Sequence, residues 1–388
     1  TVCLGVMATQ ASGITFLSTP GQGYSDGLRF VQFYLGLPIA MLIICVTFIP
    51  IYFRSGVYTA YEYLEKRFDL KTRLLTSLLF LIQRGLGAGI TLYAPAIILS
   101  ALFGWNFKLI VLITGICVIL YTVSGGAKAV SKTQTLQMTV MLLGLFFIFC
   151  VIIYELKGIN FHQALQIAGW SGKMKAIDFR FDLTDRYNFW SGIIGGGFVA
   201  LAYFGTDQSQ VQRYLGGKSI NVSRLGLIAN GLFKVPMQLF ILLTGVMVFV
   251  FYQLHSSPLF FNKPIEDRVL ATSYASDYKE KQAVFDGILQ SKQALTASLT
   301  SADFQSEDIK SRMVAFNEQE LKVRNEAKEV IRQALPDAET NDRDYVFLHF
   351  VLNYLPVGLI GLLLAVVFSA TMSSTSAELT ALASTSTI

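Results

Sequence analysis

Hydroxyl-bearing residues are concentrated inside an apolar run at the end of the sequence, LPVGLIGLLLAVVFSATMSSTSAELTALASTSTI (355–388). Ala370, Ser373 and Ser374 are spaced i, i+3 and i+4, so on a helix they share one face. Carbonyl and hydroxyl oxygens are the ligands that a hard cation such as sodium prefers. A serine-rich face also serves ordinary helix packing, at about 0.6 kcal/mol per hydrogen bond. The pattern indicates either a cation site or a helix interface.

Two other apolar stretches are interrupted by glycines and hydroxyls, ATQASGITFLSTPGQGY (8–24) and WSGIIGGGFVALAYFGTDQ (190–208). Interrupted helices at matching positions of two repeats are typical of transporters whose site lies near the membrane midplane, because an unwound turn releases backbone carbonyls. Small residues that merely allow close helix packing are the alternative explanation.

Two cationic side chains, Arg84 and Lys234, lie within long apolar stretches. A charge at the bilayer centre costs a few kcal/mol unless it faces protein, water or a partner, so each is a candidate functional residue. The planar fork of Arg84 suits a substrate carboxylate. Pairing with Asp207, Glu378 or free carbonyls, or snorkelling to an interface, is the structural alternative.

These residues must be positioned by membrane helices. Of the 388 residues, 53% are apolar and only 15% are charged, with mean hydropathy +0.51, whereas a soluble domain carries about 25% charge. Uncharged stretches of about 20 residues, the length that spans a bilayer, are too long for barrel strands. The sequence predicts an all-α integral membrane protein with eight candidate spans: 1–25, 30–53, 85–107, 109–127, 133–154, 187–206, 235–254 and 345–377.

Lys and Arg are concentrated in three loops, 54–73, 124–132 and 213–224, which lie on one side if all eight spans exist. The positive-inside rule makes that side cytoplasmic. Residues 254–344 hold 12 of the 31 Lys and Arg residues and 16 of the 26 Asp and Glu residues. Their polar runs predict weakly amphipathic helices, with 307–335 closed by Pro336. This net acidic insert has no basic face for nucleic acid, and we expect a packed extracellular or periplasmic cap.

Four stretches together resemble the sodium/solute symporter family, which has the LeuT-type five-plus-five inverted-repeat fold. They are SGITFLSTPGQGY (12–24), GVYTAYEYLEKRF (56–68), SGGAKAV (124–130) with TDQSQVQRYLGGKS (206–219), and LPVGLIGLLLAVVFSATMSSTSAEL (355–379). The resemblance implies core helices 1–7 in residues 1–253, the insert in 254–344, and a short re-entrant segment with core helix 8 in 345–388. It also implies that two further core helices lie outside this sequence.

By position, the family's sodium site falls on the backbone carbonyls of Ala8 and Ala11, the carbonyl of Ala370 and the hydroxyls of Ser373 and Ser374. A second sodium site, found in some members, has an Asp where this chain has Gln134. Ser376 of that site is present. Because a lost carboxylate removes about one charge of cation stabilisation, we expect sodium as the coupling ion with one ion per cycle.

For the substrate, the resemblance implies a different set of positions. Thr15, Tyr34, Gly87 and Ala200 stand where sugar-transporting members have polar or acidic residues, whereas Lys234 and the inner aromatic gate, Tyr203, are kept. The pattern SGITFLSTP, which begins at Ser12, looks more like members that carry organic anions such as monocarboxylates, sialic acid or vitamins. Ser12, Thr15, Tyr34, Arg84, Tyr203 and Lys234 are the candidate substrate residues.

The expected function is sodium-coupled import of a small organic anion across the cell membrane. The alternatives are a symporter for a neutral sugar or polyol, and a membrane sensor that keeps the transporter fold. A passive channel would need a continuous polar stripe through the spans. An enzyme is not expected, because the spans hold no Ser/His/Asp, Cys/His or paired-carboxylate arrangement. Oligomeric state leaves no signal in the sequence.

Overall fold

The computed structural model describes residues 2–387 except Leu183, Lys218 and 298–305. Some side chains within that part are also not described: Val2, Ile14, Ala94, 101–103 and 126–132. Every regular element in the described part of the chain is a helix, and none is a strand. The predicted all-α class is confirmed.

The helices before residue 171 follow one another closely. In chain order they are α1 (Val2–Gln10), α2 (Gly13–Asp26), a 3-10 helix (Gly27–Tyr34), α3 (Leu37–Val46), α4 (Phe48–Ser55), α5 (Ala60–Arg67), α6 (Leu70–Thr91), α7 (Tyr93–Phe103), α8 (Phe107–Glu155) and α9 (Phe161–Trp170). Side-chain caps fix several of the starts, since Thr59, Asp69 and Asn106 each accept a backbone N–H from the first turn that follows.

The later helices include the longest buried one. They are a π-helical turn (Ser191–Gly195), α10 (Gly196–Gly205), α11 (Gln208–Leu215), α12 (Ile220–Leu254), α13 (Lys263–Leu270), α14 (Ala275–Ala297), α15 (Glu307–Ala334), α16 (Arg343–Tyr354) and α17 (Val357–Thr387). The 35 residues of α12 cover roughly 50 Å at 1.5 Å per residue. This helix therefore joins the end of the molecule that holds α11 to the end that holds the insert.

Six helical segments of the described chain are long and apolar enough to cross a bilayer: Thr15–Ser55, Leu70–Ser100, Phe107–Gly125, Thr133–Glu155, Ile220–Leu254 and Val357–Thr387. The predicted span 187–206 appears only as the shorter apolar segment Ser191–Gly205. The predicted spans 1–25 and 30–53 do not appear as two helices of full length, because the first is broken after Gln10 and its second part runs on into Thr15–Ser55.

One predicted loop, 124–132, has helical backbone, so that α8 is continuous over 49 residues. The hydroxyls of Tyr121 and Thr133 are nevertheless hydrogen-bonded to each other. Twelve residues of straight helix would separate these positions by about 18 Å. The axis of α8 therefore bends between its two apolar segments, at the place where the sequence predicts the connection.

Close backbone contact joins α2 to α12. A Cβ atom added at Gly245 would lie far inside contact distance of the Pro20 carbonyl oxygen, and one at Gly23 would meet that of Leu242. Larger residues would force the two helices apart, because a backbone cannot yield as a flexible side chain does. These glycines allow α2, the second half of the broken first helix, to pack closely against α12.

The loop 54–73 lies beside α11. Gln208 donates from Nε2 to the Tyr58 carbonyl at 2.9 Å and accepts from the Ala60 amide at 3.2 Å, and the Tyr61 hydroxyl donates to the Thr206 carbonyl at 3.1 Å. The basic loops 54–73 and 213–224 therefore lie at the same end of the molecule. The assignment of that end to the cytoplasm stays a prediction.

The insert folds around a core of its own. Apolar residues of α13, α14 and α15 form one buried cluster: Ile265, Val269, Tyr278, Phe285, Leu289, Val323, Ala327 and Ile331, with Leu259 and Phe260 before them. Lys292 and Arg324 both pair with buried Glu320, at 2.7 and 3.2 Å. Burial raises the pKa of Glu320, but the two cations lower it by more. The helix predicted over 307–335 is confirmed as α15, which ends just before Pro336.

Candidate functional site

The break between α1 and α2 releases two carbonyl groups. In a continuous helix the amide of Ser12 would bond to Ala8, and that of Thr15 to Ala11. Here the Ser12 amide donates to the Gln10 carbonyl at 3.1 Å, and the Thr15 amide donates to the Ser12 carbonyl at 3.0 Å. The carbonyl oxygens of Ala8 and Ala11 are therefore free of their helical partners, as the interrupted sequence predicts.

Two hydroxyls of α17 meet this break. Ser373 donates from Oγ to the freed carbonyl of Ala8 at 3.0 Å, across 365 positions of the chain. Ser374 donates to the carbonyl of Ala370 at 3.0 Å. All four residues are at most 2% exposed, and Ala8, Ala11 and Ala370 belong to one buried cluster. The structure thus brings the five predicted sodium-site residues to one place.

This arrangement suits a hard monovalent cation. Its donors are carbonyl and hydroxyl oxygens, which replace a hydration shell without introducing charge. Among the residues that the structure describes, no group of three His, Cys, Asp or Glu could hold a metal ion. Because the oxygens are buried, a cation between them interacts more strongly than it would in water. The donor set therefore fits sodium better than a transition metal.

Gln134 and Ser376 converge on one atom of the same region. The Nε2 of Gln134 and the hydroxyl of Ser376 both donate to the carbonyl of Ser373, each at 3.1 Å. The Oε1 of Gln134 is buried and without a hydrogen-bond partner in the described chain. The Gln134 amide donates a hydrogen bond to the Ser373 carbonyl. A carboxylate at position 134 has no N–H to donate, so it would leave this carbonyl oxygen free to bind a cation. The altered second sodium site at Gln134 and Ser376 stays a prediction.

Arg84 lies between two carboxylates. Its guanidinium pairs with Asp207 and, at 3.1 Å, with Glu378, and it also lies over the ring of Tyr203 with 5.5 Å to the centroid. The three charged side chains are at most 13% exposed. This bridge joins α6, α11 and α17. It is the structural alternative considered for Arg84, and it leaves the guanidinium neutralised by the protein.

Lys234 lies over an aromatic ring and has no acidic partner. Its Nζ is 5.9 Å from the centroid of Tyr34, and no carboxylate of the described residues lies within 4 Å of it. The side chain is 1% exposed. A cation–π contact stabilises a desolvated ammonium by about 2 kcal/mol, which offsets part of the cost of its burial. The ring gives the three N–H donors of the ammonium no full hydrogen bond.

Four of the candidate substrate residues are connected, since Arg84 lies over Tyr203, Lys234 lies over Tyr34, and both tyrosines pack against one apolar cluster. Ser12 and Thr15 stand apart from them. Tyr203 accepts a hydrogen bond from Gln210 at 2.7 Å and packs against Phe204. Ser12 stands at the N-cap position of α2 without a side-chain cap bond, and Thr15 follows in the first turn. In the contacts given for the described side chains, nothing joins Ser12 or Thr15 to Arg84, Tyr203 or Lys234.

Two further polar residues on α12 are not among the site residues predicted from the sequence. Asn230 and Gln238 are fully buried, and neither side-chain amide has a hydrogen-bond partner in the described structure. An unpaired buried amide costs about 1–3 kcal/mol. Both lie four residues from Lys234, so all three share one face of the helix. That spacing around an intramembrane lysine is the signal by which the sequence reveals them.

A family model described as "Sodium:solute symporter family" matches residues 1–279 of the chain. The human sodium/iodide cotransporter is 34% identical over 253 residues, which cover 65% of this chain and 39% of that protein. The mouse sodium-coupled monocarboxylate transporter 2 is 33% identical over 233 residues, which cover 59% and 37%. The chain thus spans about two fifths of the length of the curated relatives it matches.

Among solved structures, the chain resembles a Na+-coupled sialic acid symporter in a substrate-bound, outward-open state. The TM-score is 0.72 at 22% sequence identity, and the match covers 99% of this chain and 65% of that one. At this identity the likeness establishes the fold, and it confirms the LeuT-type architecture that the four sequence stretches imply.

Proposed function

We propose that this chain, which belongs to the sodium:solute symporter family, forms the binding core of a sodium-coupled symporter. The symporter imports a small organic anion by alternating access. The observation that carries the proposal is the pairing of the Ser373 hydroxyl with the Ala8 carbonyl at the break between α1 and α2. There, one helix offers released carbonyls to the hydroxyls of another, as in transporters with discontinuous helices.

Sodium supplies the driving force in this mechanism. A bound sodium ion connects α17 to the broken helix formed by α1 and α2, and so favours one relative position of these helices. Its ligands are Ala8, Ala11, Ala370, Ser373 and Ser374. A substrate that binds the same arrangement gains affinity, and the gain is reciprocal. One sodium ion that moves down a 100 mV potential contributes about 2.3 kcal/mol, before its concentration gradient is added.

An anion is the favoured cargo for two reasons. The relatives are named for iodide, monocarboxylates and sialic acid, all of which are anions at neutral pH. In this chain Lys234 is a buried cation without an acidic partner, so an anionic ligand compensates it. For the whole protein we propose a multi-pass location in the cell membrane, with the insert 254–344 outside and the loops 54–73 and 213–224 inside.

Uptake into proteoliposomes of the protein at its full natural length tests this proposal. We expect labelled lactate, a small organic anion, to accumulate only with an inward sodium gradient. Ser373→Ala should raise the sodium concentration for half-maximal uptake by about tenfold, since it removes one of five oxygen ligands.

The matched control is Ser384→Ala on the same helix. The Ser384 hydroxyl donates to its own helix, to the Ala381 carbonyl at 3.0 Å, so this variant should follow the wild type. Sodium-independent uptake would refute the coupling. Uptake of galactose or inositol instead of an acid would make the protein a neutral-solute symporter, and sodium binding without any uptake would favour the sensor.

A further inference from the structure

The face of α12 that carries Lys234 holds three buried polar side chains without hydrogen-bond or ionic partners in the described structure. Asn230, Lys234 and Gln238 follow one another at four-residue intervals, about 6 Å apart along the axis. Each is at most 1% exposed. No hydrogen bond satisfies the two carboxamides, and no carboxylate of the described chain neutralises the ammonium. We name these three residues the α12 polar stripe.

The α12 polar stripe lies level with the break in the first helix. On one side of it, Leu227 packs in the same cluster as Val6 of α1. On the other side, Ile241 packs in the same cluster as Phe16 of α2. The residues of α12 between these two contacts therefore face the segment that contains Ala8, Ala11 and Ser12. Gln10, in that segment, also has a buried Oε1 without a hydrogen-bond partner in the described structure.

The chemistry of the stripe is that of an anion site. A side-chain amide offers two N–H donors and an ammonium offers three, whereas the only acceptors are the two amide oxygens. Such a set matches the several lone pairs of a carboxylate or the charge of a halide. Arg84, the other buried cation considered for this task, is already paired with Asp207 and Glu378.

We propose that Asn230 and Gln238 extend the site of Lys234, so that the whole α12 polar stripe binds the charged group of the transported anion. Lys234 neutralises the charge, and the amides of Asn230 and Gln238 donate hydrogen bonds to it and so select an anion over a neutral solute. This inference rests on the proposed function. Because the three side chains are buried, the anion reaches them only when the helices around the break separate from α12, as alternating access requires.

Leucine substitutions test the two amides. We expect Asn230→Leu and Gln238→Leu each to raise the KM for labelled lactate about tenfold, which is about 1.4 kcal/mol. Without substrate, both variants should unfold at or above the wild-type temperature, because leucine removes an unpaired buried amide. A merely structural role predicts the opposite pattern, with a lower unfolding temperature and an unchanged KM.

The matched control is Gln253→Leu. Gln253 is a buried glutamine of the same helix, 3% exposed, and its Oε1 also has no partner in the described part of the chain. It lies 15 residues from Gln238, about 22 Å along the axis, so the KM of this variant should equal that of the wild type.

The isosteric variant Gln238→Glu places a carboxylate beside Lys234 and should abolish anion uptake.

The outcomes separate this inference from the proposed function. If the wild type takes up lactate with sodium and both leucine variants keep its KM, the stripe is not the anion site although the symporter stands. If the wild type transports no anion, the proposed function fails, and thermal unfolding with iodide or lactate decides the inference alone. Stabilisation that the leucine variants lose supports the stripe, and no stabilisation of the wild type overturns it.

Discussion

At the scale of single residues, Arg84 shows how a charged side chain can be interpreted in two ways from sequence. Its type and depth suit a substrate carboxylate. Its actual partners, Asp207 and Glu378, lie 123 and 294 positions away. The fold alone decides that these two carboxylates meet the same guanidinium.

We predict that Arg84→Met lowers the free energy of unfolding by about 3–5 kcal/mol, because two buried carboxylates lose their cation. The KM for the transported anion should stay within about twofold of wild type. Asp207→Asn combined with Arg84→Met should recover part of the lost stability, since the asparagine keeps the cap position of α11 and removes one charge. Thermal unfolding and uptake kinetics measure the two effects. A raised KM at unchanged stability would return Arg84 to the substrate site.

The ion site shows what residue spacing can and cannot predict. The shared face of Ala370, Ser373 and Ser374 follows from i, i+3 and i+4 spacing. Their meeting with Ala8 follows only from the family resemblance, because no local pattern connects positions 365 apart. The same rule, applied to positions four residues before and after Lys234, predicts that Asn230 and Gln238 share its helix face.

At the scale of elements, the glycines of the sixth predicted span have separate tasks. A Cβ at Gly192 or Gly196 would meet the carbonyl oxygen of Gln32 or Phe33 far inside contact distance. A Cβ at Gly195 would meet nothing within 4 Å. Close packing against the 3-10 helix therefore explains the first two, whereas Gly195 ends the π-helical turn.

We predict that Gly192→Ala costs about 1–3 kcal/mol of stability or more, because it forces the π-helical turn away from a backbone that cannot yield. Gly195→Ala is the control and should match the wild type within about 0.5 kcal/mol. Thermal unfolding of the purified variants measures both. Equal unfolding temperatures for the two variants would show that the packing at Gly192 relaxes freely.

Element boundaries follow the sequence where a local signal is strong. Ser12 and Gly13 predict the break that follows Gln10, and Pro336 predicts the end of α15. The glycines and lysines of 124–132 predict a loop, but the backbone there is helical. The hydrogen bond between Tyr121 and Thr133 is the contact that indicates a bend. Glycine permits a turn without requiring one.

At the scale of the whole molecule, the uneven distribution of charge predicts an apolar core with one polar insert. The structure adds how the insert meets that core. A cavity of about 670 Å³ lies between α15 and the ends of α2 and α12, and Lys173 is among its lining residues. The Lys173 ammonium donates to the Ser25 carbonyl and lies 5.0 Å from the ring centre of Phe249.

Lys173 makes the stability of this end depend on pH. Burial lowers the pKa of Lys173 from 10.5 to about 8, although Asp26 raises it in part. Below pH 8 the lysine is charged in both states, and the folded protein bears the cost of a desolvated charge. Between pH 8 and 10.5 the unfolded chain binds more protons than the folded one, so stability rises with pH. Above 10.5 both states are neutral and the contribution is constant.

We therefore predict that the unfolding temperature of the wild type, minus that of Lys173→Met, increases as the pH rises from 7.5 to 10. Taking this difference cancels the other titrating groups, which both proteins share. Lys279→Met, on the exposed side of α14, is the matched control and should follow the wild type at every pH. A difference that stays flat with pH would mean that the Lys173 ammonium is hydrated, and that the cavity between the insert and the core is open to water. A difference that falls with pH would mean that Asp26 raises the pKa of Lys173 by more than burial lowers it.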